Sequence, residues 1–192
     1  MAKNLRIAVV ALIVYGVLFL PFTILTFAKM AADGAFGDDA TFSMPSLLIV
    51  LFHVQLVVFV VVNILWIRGF LLIGKHLKNR LLVVSSYFLI IAVSMFAVLE
   101  WIPLSFPFDI IAFVVAILIN GIALIPFGIG TLPLQKKFGG IATAYGVMLI
   151  AQGSCLVLII PSFLQMFMEI PTCVLGVIVL LKAVRLFPSN DQ

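Results

Sequence analysis

The sequence predicts an all-α membrane protein, a single domain over residues 1–192 with six transmembrane helices. Three observations carry this. The 192-residue chain is 65% hydrophobic and only 9% charged, against about 45–50% and about 25% in soluble domains. A soluble fold of this size could not hide so much apolar surface. The apolar residues fall into six runs, each near the roughly 20 residues needed to cross a bilayer. The charges segregate to alternate ends of those runs.

The spans are predicted at about 6–29, 46–67, 81–101, 108–129, 140–161 and 168–187, to within a few residues. The first follows a basic start, Met1 to Arg6. Its apolar run is longer than the roughly 7–15 residues of a cleavable signal, so it reads as a retained helix. Pro161-Ser162 and Glu169-Ile170-Pro171 separate the last two spans, because proline disfavours helix continuation. The connection over 30–45 is the longest, and it is too short for a domain.

Charge sets the expected orientation. Lys3 and Arg6 precede the first span. Arg68, Lys75, Lys78 and Arg80 lie between the second and third. Lys136 and Lys137 lie between the fourth and fifth, and Lys182 and Arg185 close the sixth. Of the 11 basic residues, only Lys29 falls at the other end. Asp33, Asp38, Asp39, Glu100, Asp109 and Glu169 gather opposite; only Asp191 does not. Cytoplasmic loops carry the Lys and Arg excess, so both termini are expected in the cytoplasm, with the chain in the cell membrane. The net charge of +4 reflects this topology and does not point to nucleic acid. The lipid bilayer is the expected partner, with other membrane subunits or a second copy as further possibilities.

Three sets of residues are candidates for function. Gln55, Asn63, Asn120 and Gln152 are amides inside the spans. Gln55, Asn63 and Trp66 share an arc of about 80° on one helix. They would line a polar path, or tie helices together at about 0.6 kcal/mol per bond. His53, Glu100, Asp109 and Glu169 fall near the outer ends. They would form a cation or proton site. Alternatively, Asp109 and Glu169 open their helices and meet free N–H groups and the positive dipole end, with Pro107 and Pro171 beside them as helix starts favour. Gly139, Ala142, Gly146 and Gly153 form a small-residue stripe that lets another helix approach closely, within the chain or between copies. Lys182 is expected to snorkel toward the membrane surface. Lys78, Tyr87 and Pro103 match Lys136, Tyr145 and Pro161 at one common offset, a hint of repeated helical hairpins.

Cys155 and Cys173 have no metal-ligand or disulfide spacing. His-Glu-x-x-His, P-loop, Gly-x-Ser-x-Gly and Cys-x-x-Cys patterns are absent. No cofactor, metal or enzymatic activity is therefore expected.

One stretch carries a resemblance. It comprises Gly128-Ile129-Gly130, Lys136-Lys137-Phe138-Gly139-Gly140, Gly146 to Gly153, Pro161, and Glu169-Ile170-Pro171 running to Leu180-Leu181-Lys182. This resembles a family of bacterial six-helix membrane proteins of unknown function, whose final helix opens with Glu and closes with Lys. There the Lys is usually followed by Gly; here Ala183 follows. The chain is also similar to acid-resistance membrane proteins built from two-helix units. Both resemblances imply a bacterial cytoplasmic membrane, and neither supplies a catalytic residue. The first expectation is a non-enzymatic accessory or structural subunit. The alternative is a small transporter or channel with a polar path, and a membrane-embedded metal-dependent enzyme comes third. Convergence of Asn63, Asn120 and Gln152 on one cavity would separate the second reading from the first.

Overall fold

The computed structural model describes residues 1–32, 45–102, 108–158 and 162–187; the side chains of 30–32, 100, 109, 110 and 162–166 are not among those described. The described residues form α1 (Ala2–Ala32), α2 (Ser46–His76), α3 (Arg80–Trp101) and α4 (Phe108–Thr131). A short 3-10 turn (Leu132–Leu134) leads into α5 (Gln135–Phe138), followed by α6 (Gly140–Val157) and α7 (Ser162–Leu186). Six of these helices, all but α5, are long and apolar enough to cross a membrane. The chain is an integral membrane protein. Val10, Val17, Ile24, Val84, Ile91 and Val174 are among many large apolar residues left exposed, a surface that lipid covers at no cost.

The spans are ordered as a ring. Each packs mainly against its chain neighbours, α1 on α2, α2 on α3, α3 on α4, α4 on α6 and α6 on α7, and α1 closes the circle on α7. The basic residues gather at one end of this ring, here termed the basic end.

Helix ends depart from the expected bounds for physical reasons. The second span was expected to stop near 67, but α2 continues to His76. Arg68, Lys75 and His76 are thus helical, because long basic side chains reach water from a helix end without unwinding it. Lys75 lies over the Tyr87 ring, 5.5 Å from its centre. Lys78 ends α2 in the left-handed region, φ 54°, with Asn79 N–H donating to Gly74 O at 2.8 Å. Asn79 then caps α3: its Oδ1 accepts from Leu82 N–H at 3.1 Å, and its Nδ2 donates to Gly130 O at 2.7 Å. One side chain thereby satisfies a helix start and a carbonyl at the far end of α4.

The last span was expected to open at about 168, with Glu169 at its start. α7 begins at Ser162 instead, and Pro171 lies inside it. Membrane helices tolerate an internal proline where neighbours re-satisfy the freed carbonyl. Lys136 and Lys137 lie in α5 rather than in a loop. Lys182 Nζ donates to Phe138 O at 2.9 Å, so this cation closes the end of α5 as well as reaching the surface.

α4 and α6 pack through paired glycines. A Cβ at Gly121 would lie 2.8 Å from Gly153 O, and one at Gly153 would lie 2.7 Å from Gly121 O. Gly128 and Gly146 oppose each other in the same way, at 2.7 and 2.8 Å. The stripe containing Gly146 and Gly153 is therefore a seam inside the chain. Ala142 is buried on the same helix. Gly139 is not part of the contact: nothing lies within 4 Å of a Cβ built there, and its φ of 77° makes the turn before α6. The two tyrosines of the hinted repeat have different surroundings, Tyr87 exposed and Tyr145 buried.

Candidate membrane-embedded binding cavity

The ring surrounds a half-open cavity of about 220 Å³ to which all six spans contribute. Its floor, toward the basic end, is aromatic. Trp66 and Tyr145 line it there, with Phe70 and Phe127 buried behind them. Phe70 stacks on Tyr145 at 5.1 Å between ring centres, and Phe127 meets Phe70 edge-on at 5.6 Å. From Trp66 the lining rises along α1 to Thr26 and Phe27, and along α3 and α4 to Phe96 and Phe113.

Among the described residues, one acid stands in this wall. Glu169 is 9% exposed and lies about 20 Å along α7 from Lys182, within a hydrocarbon core roughly 30 Å thick. Gln152 Nε2 donates to its Oε2 at 2.8 Å. Tyr15 of α1 stands beside the carboxyl, and Cys173 Sγ lies 3.9 Å from Oε1. Among the described residues, no Lys, Arg or His contacts the carboxyl. Glu169, Thr172 and Cys173 share one face at i, i+3 and i+4, and all three line the cavity. The capping reading of Glu169 is thus corrected: it sits in the second turn of a helix that starts earlier, facing inward. A bare carboxylate there, taken out of water without a counter-charge, costs several kcal/mol; neutral donors recover part of this.

Three of the four amides reach the same cavity. Asn63 donates to Phe59 O at 2.8 Å and accepts from Trp66 Nε1 at 3.2 Å. Asn120 donates to Ala116 O at 2.9 Å, and its Oδ1 has no protein partner among the described residues. Gln152 holds Glu169. Gln55 is not in the lining; it donates across to Leu18 O at 3.3 Å and joins α2 to α1.

Of the expected outer set, His53 and Glu169 are described, and His53 lies outside the cavity that Glu169 lines. His53 Nδ1 pairs with Ile49 O at 2.7 Å within its own helix, and its ring packs edge-on against Trp101 at 5.3 Å. It does not line the cavity. The side chains of Glu100 and Asp109 lie outside the described residues. Among the described residues, no group of three His, Cys, Asp or Glu could hold a metal.

Tyr15, Thr172 and Cys173 were not singled out from the sequence. Thr172 and Cys173 could have been found by the spacing that puts them on the Glu169 face. Tyr15 carries no local signal, because it lies on a different helix far away in the chain. Comparison with protein-family models, curated proteins and solved structures gives no match.

Proposed function

We propose that the protein is a small carrier that takes a solute into the cavity at Glu169 and passes it between the two faces of the cell membrane. The observation supporting this is that all six spans line one cavity with a membrane-embedded acid in its wall. Ionisable residues inside a bundle are costly and mark substrate or ion paths. A purely structural subunit needs no such group and no such space. The lysine and arginine bias favours cytoplasmic termini, and in that orientation the aromatic floor is the inner seal. Asn63, Asn120 and Gln152 serve as polar contacts above it. Gly121, Gly128, Gly146 and Gly153 hold α4 against α6 as one stiff pair, and the thinner contacts of α7 with α1 and α6 are the ones that shift.

Cys173 tests the reading, since it lies beside Glu169. In a Cys155→Ser variant it is the single thiol. Sealed vesicles of each orientation are treated with a small membrane-impermeant thiol reagent. A carrier exposes Cys173 to both faces in turn, so both orientations should be labelled. Reaction from one face alone, or from neither, would overturn the carrier reading.

A further inference from the structure

We propose that the cavity binds a small organic cation, with Glu169 as counter-charge to an ammonium head and the aromatic wall around its apolar body. This deepens the carrier reading by naming the ligand class.

Charge gives the sign. Among the described residues the cavity lining holds Glu169 and no Lys, Arg or His, which disfavours anions. The groups around the Glu169 carboxyl are neutral: Gln152 and Cys173 donate to it, and Tyr15 stands beside it. A cation entering the cavity completes a pair that no described residue of the protein makes. Asn120 Oδ1, without a protein partner among the described residues, offers a second acceptor for an ammonium N–H.

The walls choose among cations. Tyr15, Phe19, Phe22, Phe59, Trp66 and Phe96 line the space. Phe22 stacks on Phe59 at 4.3 Å, and Tyr15 lies 5.1 Å from Phe59, so the rings form a continuous surface. Aromatic faces attract alkylated ammonium groups, which lose little hydration on entering. Calcium and magnesium demand about six or more oxygen ligands, and among the described residues the lining offers no second carboxylate. Size sets the upper limit. About 220 Å³ is below the roughly 300–1,000 Å³ of drug-sized sites, which favours a single-ring or short-chain amine.

The test uses benzyltrimethylammonium and its neutral isostere, neopentylbenzene, with the purified full chain in detergent micelles. Trp66 reports binding once Trp101→Phe removes the other tryptophan. The cation should change Trp66 fluorescence saturably. Glu169→Gln retains a side chain able to bond Gln152 but not the charge, and should weaken the cation at least about tenfold, while binding of the isostere stays the same. Tyr15→Phe removes a donor and no charge, so cation binding should persist; this guards against a folding defect in the first variant. Equal affinity for cation and isostere, an unchanged cation affinity in Glu169→Gln, or no saturable response would each overturn the proposal. Cys173 labelled from both faces without cation binding would remove the ligand class and leave the carrier. Glu169-dependent cation binding with labelling from one face would do the reverse.

Discussion

Gly146→Leu is the substitution whose cost can be worked most directly from the geometry. A Cβ at Gly146 would sit 2.5 Å from Thr131 Oγ1, 2.8 Å from Gly128 O and 2.9 Å from Leu132 Cδ2. Two of these neighbours belong to backbone or to a fully buried residue, so they cannot swing aside. Either α6 moves off α4, or Thr131 gives up its 2.7 Å bond to Gly128 O. Overpacking costs about 1–3 kcal/mol, and losing that buried bond adds about 1 kcal/mol. The expected loss is therefore about 2–4 kcal/mol, with Gly146→Ala in the lower part of that range. Val147 is the control, one residue along and 53% exposed on the lipid side. Val147→Leu should stay within about 0.5 kcal/mol of the parent. The assay is the folded fraction against SDS content in mixed micelles. Equal midpoints for Gly146→Leu and Val147→Leu would refute the glycine contact between α4 and α6.

Three further outcomes are expected. Asn79→Ala removes the α3 cap and the bond to Gly130 O, so it should cost about 1–2 kcal/mol in the same titration; an unchanged midpoint would contradict the double role. Lys182→Met should speed amide exchange across 135–139, because Phe138 O loses its donor, while exchange in the middle of α4 stays slow. In a cysteine-free background, a cysteine at Asp38 should react with an impermeant reagent added outside the cell and one at Lys136 should not; the opposite pattern would reverse the orientation.

The spans were legible because apolar length is a local property, and Leu, Ile, Val and Phe runs state it directly. Their ends were less so. α2 outran its expected end because Arg68 and Lys75 look like loop residues but can extend from a helix. α7 started early because Pro171 reads as a break, though inside a bundle it need not be one. The stripe on α6 was readable, but its partner was not: Gly121 and Gly128 repeat the same seven-residue spacing as Gly146 and Gly153, and only the antiparallel packing of the two helices pairs them. The cavity was partly legible, in Asn63, Asn120 and Gln152. Glu169 was noticed and misplaced, because charge near a span's expected end suggests a surface cap. Its partner Tyr15 comes from the opposite end of the chain, and ring closure between the first and last helices is a tertiary fact with no local signature.

That closure, which makes the space around Glu169 a cavity, is open to one direct measurement. A Cβ at Gly16 would lie 3.5 Å from Cys173 Cβ and 3.6 Å from its Sγ, within the range a disulfide spans. In Gly16→Cys with Cys155→Ser, mild oxidation in the membrane should join α1 to α7. Mass spectrometry should then find peptides carrying residues 16 and 173 linked, and reduction should release them. Free thiols at both positions after oxidation, with the protein folded, would mean that α1 and α7 do not meet beside Glu169 and would contradict the account.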